Sequence, residues 1–251
     1  MGLIQTIRLA YVLAKTDFKL RNEGSYLGVL WYLFNPLLMF LLLLLIFSDR
    51  LGNKIPYYPI YLLTGIIIFN FFQQATIEST ICIINNNGLI KSIQYPKEAL
   101  VLGIVLKVLF SHMIELSLLF ILTLIYGLQP IWLVFYPILL SIMVFFIFGA
   151  ALILSTITVY VSDMSNVWAF LLKLIWLGTP IFYEIGGQTK LFYVSLLNPL
   201  YYIITAAREI IINSSPPASW LIIGAIFYST LSFLLGIILF NKYKDKFPEL
   251  I

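Results

Sequence analysis

The run ILLSIMVFFIFGAALIL at residues 138–154 decides the fold. It holds no charge and only one serine, and apolar and polar positions do not alternate. LLMFLLLLLIF at residues 37–47 reads the same way. Segments this continuously apolar find their natural solvent in lipid. A chain in lipid must satisfy its backbone N–H and C=O groups internally, which leaves α-helices and closed barrels. Barrel strands alternate apolar and polar positions over about ten residues, so helices are expected. Composition agrees. Of 251 residues, 61% are hydrophobic and 10% charged, too few charges to cover a water-soluble domain of this size. The expected fold is an all-α membrane protein with one transmembrane domain over 1–251.

A helix needs about 20 apolar residues to span a bilayer. Six spans are expected, at 29–48, 57–78, 99–126, 131–158, 167–183 and 218–240. Gly127 to Pro130 is a tight turn between two of them. Asn85-Asn86-Asn87-Gly88 breaks helix and opens a polar loop to Glu98. Ahead of the first span, within 1–28, Leu3, Ile7, Tyr11, Ala14 and Phe18 recur at helical spacing, while Gln5, Arg8, Lys15 and Lys19 fall largely elsewhere. That pattern predicts an amphipathic helix lying in the membrane interface. The segment 184–217 holds two apolar pieces, Leu191 to Leu197 and Leu200 to Ile212, each too short to cross. The break at Asn198-Pro199 makes them a re-entrant pair between spans five and six. Residues 218–251 supply the last span and a polar tail.

With six spans, both ends share a side with Arg8, Lys15, Lys19, Arg21, Lys91, Lys97, Lys242, Lys244 and Lys246. Only Arg50, Lys54, Lys190 and Arg208 lie on the other. The positive-inside rule puts both termini in the cytosol of a multi-pass protein of the cytoplasmic (inner) membrane. The basic excess then meets anionic headgroups of membrane lipids, with no call for nucleic acid. Cys82 is the single cysteine, which excludes an internal disulfide or a cysteine-based metal site. The start of the chain lacks a basic tip before an apolar core, so no cleavable signal peptide is expected.

No stretch matches the G-x-x-x-x-G-K-[ST] phosphate loop, and no catalytic or metal-ligating constellation stands out. His112 and Glu115 lie three apart on the third span. They read as a polar pair satisfied by a neighbouring helix, with a proton relay as the alternative. On the second span Asn70, Gln73 and Gln74 share one side. On the fifth, Lys173, Trp176, Thr179, Pro180 and Tyr183 share an arc of about 120° opposite Phe170, Leu174, Leu177 and Ile181. Polar groups inside spans avoid lipid, so both faces are expected to look inward.

Several segments together resemble one family. Phe18-Lys19-Leu20-Arg21, Ser25, Leu27-Gly28, Trp31 and Asn35-Pro36 resemble the entry to the first span of ABC-2-type export permeases. The similarity is greatest to the exporters of O-antigen, teichoic acid or capsule polysaccharide. Tyr95-Pro96-Lys97-Glu98, Val159-Tyr160-Val161-Ser162-Asp163, Thr179-Pro180-Ile181-Phe182-Tyr183 and Asn198-Pro199-Leu200 resemble further motifs of that family, in order. The resemblance implies a homodimer in which each copy pairs with a separate cytosolic ATPase. ATP and Mg would sit on that partner and no cofactor on this chain. A lipid-linked glycan would leave between the two copies. Leu89, Ile90, Ile93, Tyr95, Pro96, Lys97 and Glu98 would then couple to the ATPase. Aromatic rings offer a sliding glycan flat faces without fixed hydrogen-bond geometry. Trp31 and Asn35 on the first span, with Trp176 and Tyr183 on the fifth, are therefore expected to line the path. Pro180 would kink the fifth span as a gate.

Three other readings stay open at this level. An ABC-2 drug or lipid exporter fits the same span pattern. A membrane glycosyl- or acyltransferase would need clustered Asp, His or Arg at one membrane face. A plain anchor or assembly subunit would not need polar-aromatic faces inside its spans.

Overall fold

The computed structural model describes residues 3–23, 28–52, 54–92, 95–129 and 134–250. All the regular structure among them is helical: α1 Leu3–Glu23, α2 Trp31–Leu51, α3 Tyr58–Thr80, α4 Cys82–Asn85, α5 Asn87–Ser92, α6 Glu98–Ile125, α7 Tyr136–Tyr160, α8 Met164–Gly178, α9 Thr189–Leu196, α10 Pro199–Ile211, α11 Ser219–Tyr243 and α12 Phe247–Leu250. Among the described residues, five helices are long and apolar enough to cross a membrane: α2 with the turn before it, α3, α6, α7, and α11 with its continuation. Helix α3 is the hub, packed by α2, α6, α7, α8 and α10. Several buried hydroxyls on the spans are satisfied by their own helix. Thr64, Thr76, Ser79, Thr156 and Thr158 each donate to the carbonyl four residues back.

The expected fifth span, 167–183, is shorter as a helix. Helix α8 has 15 residues, about 22 Å at 1.5 Å per residue. The cause is Pro180. Proline pushes the residue before it out of the α region, and Thr179 is extended at φ −93°, ψ 132°. Pro180 thus ends the helix and does not kink it. The arc drawn around it dissolves. Trp168, Leu172, Ile175, Trp176 and Thr179 face the bundle, whereas Lys173 sits on the exposed side with Phe170, Leu174 and Leu177. Ile181, expected on the lipid side, is fully buried because the chain turns inward after Gly178.

One other expectation changes. Asn85 closes α4, and Asn87–Ser92 forms α5 where an open loop was expected. Helix α1 meets the bundle through its small residues. Ala10 and Ala14 are buried against α6, where a Cβ on Gly103 would touch the Ala10 carbonyl and Leu13 at 3.4 Å. Ile4, Ile7 and Tyr11 are left exposed on the flank. Small residues let the two helices approach closely, as between membrane helices generally. The tightest seam joins α7 to α11, the most extensive helix pair. A Cβ on Gly149 would lie 2.4 Å from the backbone of Ser232, and one on Gly236 would lie 2.5 Å from the Gly149 carbonyl.

Candidate functional site

Irregular backbone at membrane depth survives only where protein groups satisfy it. The segment that follows α8 meets that condition with four consecutive carbonyls. Arg208 of α10 donates from Nη1 to Pro180 O and from Nη2 to Ile181 O, both at 2.7 Å. Tyr58 Oη donates to Phe182 O at 3.0 Å, and Tyr61 Oη to Tyr183 O at 2.8 Å. Behind them, Asn198 Nδ2 donates to Thr179 Oγ1, which itself donates to Ile175 O. The same Asn198 caps α10 by accepting from Leu200 N. Residues 179–183 therefore run in a rack whose donors come from α3 and α10. A cleft of about 400 Å³ opens beside it, lined among others by Tyr61, Glu184, Tyr201, Arg208 and Glu209. Arg208 is 6% exposed. Sequence reading placed it among ordinary external charges. Its neighbours at helical spacing, Tyr201, Ile204 and Ile211, form the apolar face of α10, and an arginine on that face was the available signal.

The four expected path residues fall into two pairs, not one cluster. Trp31 and Asn35 are both exposed on α2, and Trp31 packs edge-to-face on Phe34. Trp176 packs against Phe182, ring centroids 5.3 Å apart, and Phe182 stacks on Phe47 of α2 at 5.0 Å. Trp31 lies about 24 Å along α2 from Phe47 at 1.5 Å per residue. Tyr183 is half-buried and donates to Leu177 O at 3.2 Å. Between the pairs, Asn70, Gln73 and Gln74 are half-buried on α3. The stripe continues one turn further than expected, to Glu78, which binds Arg21 at 3.0 Å and also Lys107 of α6. Arg21 in turn lies 5.1 Å over the Tyr32 ring.

His112 and Glu115 are almost fully buried. The His112 ring stacks on Phe71 at 4.6 Å, and its Nε2 lies 3.3 Å from Tyr136 Oη. Nδ1 of His112 and Oε2 of Glu115 are 3.8 Å apart. His112 reaches a neighbouring helix through Tyr136 Oη, whereas His112 Nδ1 and Glu115 Oε2 have no hydrogen-bond partner among the described residues.

The expected coupling residues gather at the opposite end of the bundle. Leu89 and Lys91 of α5 are exposed, but Ile90 is buried and does not offer the outward apolar contact expected of it. Tyr95, Pro96, Lys97 and Glu98 are half-buried ahead of α6. Ile93 lies outside the described residues. Burial lowers the pKa of Lys97, an effect that Asp245 opposes, and burial pushes Tyr95 up to about 12. Lys244 Nζ pairs with Glu98, and a cleft of about 720 Å³ opens where Glu98 and Lys244 meet the apolar walls of α7 and α11.

The bundle thus carries α5 and Tyr95–Glu98 at one end, a racked break at the other and a polar stripe between them. Residues 8–212 match the ABC-2 type transporter family, and the chain belongs to that family. Its relatives include two proteins of Klebsiella pneumoniae named O-antigen export system permease protein RfbA. They are 26% and 27% identical over 246 and 248 residues, covering 97% of this chain and 95% of each relative. A protein of the same name from Myxococcus xanthus is 24% identical over 241 residues, 94% of this chain and 93% of its own length.

Proposed function

We propose that this chain is the permease subunit of an ABC exporter that moves a lipid-linked polysaccharide, of O-antigen, teichoic acid or capsule type, across the cytoplasmic membrane. The observation that carries the reading is the end-to-end similarity to O-antigen export permeases, which leaves almost none of either chain unmatched. The active unit is a pair of these chains with two ATP-binding cassette subunits, on which ATP and Mg are bound. Both termini are cytosolic. Helix α8 with residues 179–183 makes the sixth crossing, and α9–α10 is a re-entrant hairpin at the outer face. Helix α1 rests in the interface, with Ile4, Ile7 and Tyr11 toward lipid. The glycan passes along α2 and α8, from Trp31 and Asn35 toward Trp176 and Tyr183. Leu89, with Tyr95 to Glu98, receives the ATPase.

The test has two parts. Tagged chain purified from its native membrane should bring down an ATP-binding cassette protein. Deleting its gene should leave the polysaccharide inside the cell. Wild-type surface polysaccharide in the deletion strain would sink the substrate assignment. Restoration of drug resistance in place of polysaccharide would instead favour a drug-exporting member of the family.

A further inference from the structure

The segment after α11 folds back beneath the docking end. Phe247 of α12 is fully buried. Its ring meets Phe240 of α11 edge-to-face at 5.4 Å, and Lys97 Nζ lies 5.8 Å above it. Lys97 also donates to the Lys244 carbonyl at 2.6 Å. That oxygen belongs to the 3-10 turn Lys244–Lys246 that follows α11, where it also accepts from Phe247 N, and a cation is favoured at a helix C-terminus. Lys244 reaches the other way, to Glu98 and to Asn241 Oδ1. Helix α12 packs against α5, whose Ile90 is buried while Leu89 remains outside. Lys97 and Lys244 thus cross-link the start of α6 to the end of α11, and Phe247 fills the space under both.

Helix α11 leads from this knot to the opposite end of the bundle. Its 25 residues cover about 37 Å at 1.5 Å each. At the far end Trp220 packs on Tyr201 and Tyr202 of α10, and Glu209 of α10 accepts from Ala218 N. Helix α10 carries Arg208, which holds the rack at 180–181. One continuous helix therefore joins the docking end to the hairpin that fixes the break.

We propose that residues 244–250 are the fixed underside of the ATPase-docking segment. Phe247 and the Lys244–Glu98 pair make 87–98 and the cytosolic end of α11 one moving body, and α11 carries the partner's stroke to α10. The proposal rests on the reading of 87–98 as the docking site. Lys244 and Phe247 act as positioning residues through the segment above them.

The test is a charge exchange in the complete complex with its ATPase, reading glycan exported per ATP hydrolysed. Lys244→Glu places two carboxylates together and should lower that ratio on the order of tenfold, equivalent to about 1.4 kcal/mol. The double variant Glu98→Lys/Lys244→Glu restores the pair in reverse and should recover most of the ratio. Phe247→Ala should lower it similarly, and Phe247→Leu should retain it. If Phe247→Ala fails to accumulate in the membrane, the charge series still decides. A wild-type ratio in Lys244→Glu, or an exchange that recovers nothing, overturns the proposal. If the wild-type chain brings down no ATPase at all, the docking reading itself has failed, a result distinct from normal coupling in every variant.

Discussion

The guanidinium of Arg208 lies over the ring of Tyr61, its central carbon 3.4 Å from the ring centroid, and its Nε donates to the Tyr61 carbonyl at 3.1 Å. One side chain thereby binds α3 by a ring and a carbonyl, and residues 180–181 by two further carbonyls. Arginine suits this because its planar fork presents several donors in fixed directions, whereas lysine offers one compact ammonium. Arg208→Ala leaves the buried Pro180 and Ile181 carbonyls without their donor and should cost about 3–5 kcal/mol, seen as a collapse in the yield of folded protein. Arg208→Lys should fold but with a clearly lower melting temperature in detergent. Wild-type melting for both would mean that the guanidinium does not hold the break. Gly65→Ala tests the same seat from below, since its Cβ would meet Arg208 Nη2 at 2.8 Å and Ile181 at 3.1 Å.

Much of the architecture could be read before the structure, and the failures have physical causes. Periodicity and length located α2, α3, α6, α7 and α11 because a span in lipid must be both long and apolar. The extent of α8 was missed because hydropathy continues through Ile181 and Phe182 after the helix has stopped at Thr179-Pro180. Burial by long-range partners is invisible to pattern. Nothing in the spacing of Tyr58, Tyr61 and Arg208 says that they meet at 180–183, more than a hundred positions away from the tyrosines. The same holds for Glu78, the last position of the expected second span, which meets Arg21 and Lys107 only in the fold.

The α7–α11 seam makes a sharper prediction than any single apolar contact. A Cβ on Gly149 would meet the backbone of Ser232 and Phe233 and one on Gly236 the backbone of Gly149, so a methyl group on either must push the helices apart. Overpacking of this kind costs about 1–3 kcal/mol. Gly149→Ala and Gly236→Ala should each lower the melting temperature. The double variant should fall by less than the sum, because the first methyl already opens the seam. Strict additivity, measured by thermal denaturation of the purified protein, would mean the two sites do not share one contact.

Sidedness can be tested by introducing single cysteines. Cys82 is 3% exposed, so it should stay silent and need not be removed. Lys190→Cys and Asn213→Cys replace exposed residues at the hairpin end and should react with an impermeant thiol reagent added to intact cells. Lys246→Cys, also exposed, should react only after permeabilisation. Lys246 is a better probe than Lys244, whose side chain is engaged with Glu98 and Asn241. External labelling at position 246 would invert the proposed orientation.

The two ends of the proposed path should answer mutation differently, and the difference follows from burial. Trp31 is 46% exposed and its ring contact is with Phe34, one turn along its own helix. Removing it leaves little void in this chain, so Trp31→Ala should change the melting temperature of the isolated permease only slightly. Trp176 is packed between α8 and the Phe182–Phe47 stack. Truncating a large aromatic at such a site costs about 3 kcal/mol or more when it is fully buried and less here, where it is half-buried. Trp176→Ala should therefore lose stability as well as transport, and Trp176→Phe should restore stability while keeping a flat apolar ring for the sugar. The decisive quantity is glycan exported per assembled complex. A conduit role requires that ratio to fall in Trp31→Ala with assembly intact, and to fall in Trp176→Ala beyond what reduced assembly explains. If both variants export normally per assembled complex, the rings serve packing alone and the path runs elsewhere, with the Asn70–Gln74–Glu78 stripe of α3 as the next polar surface to test.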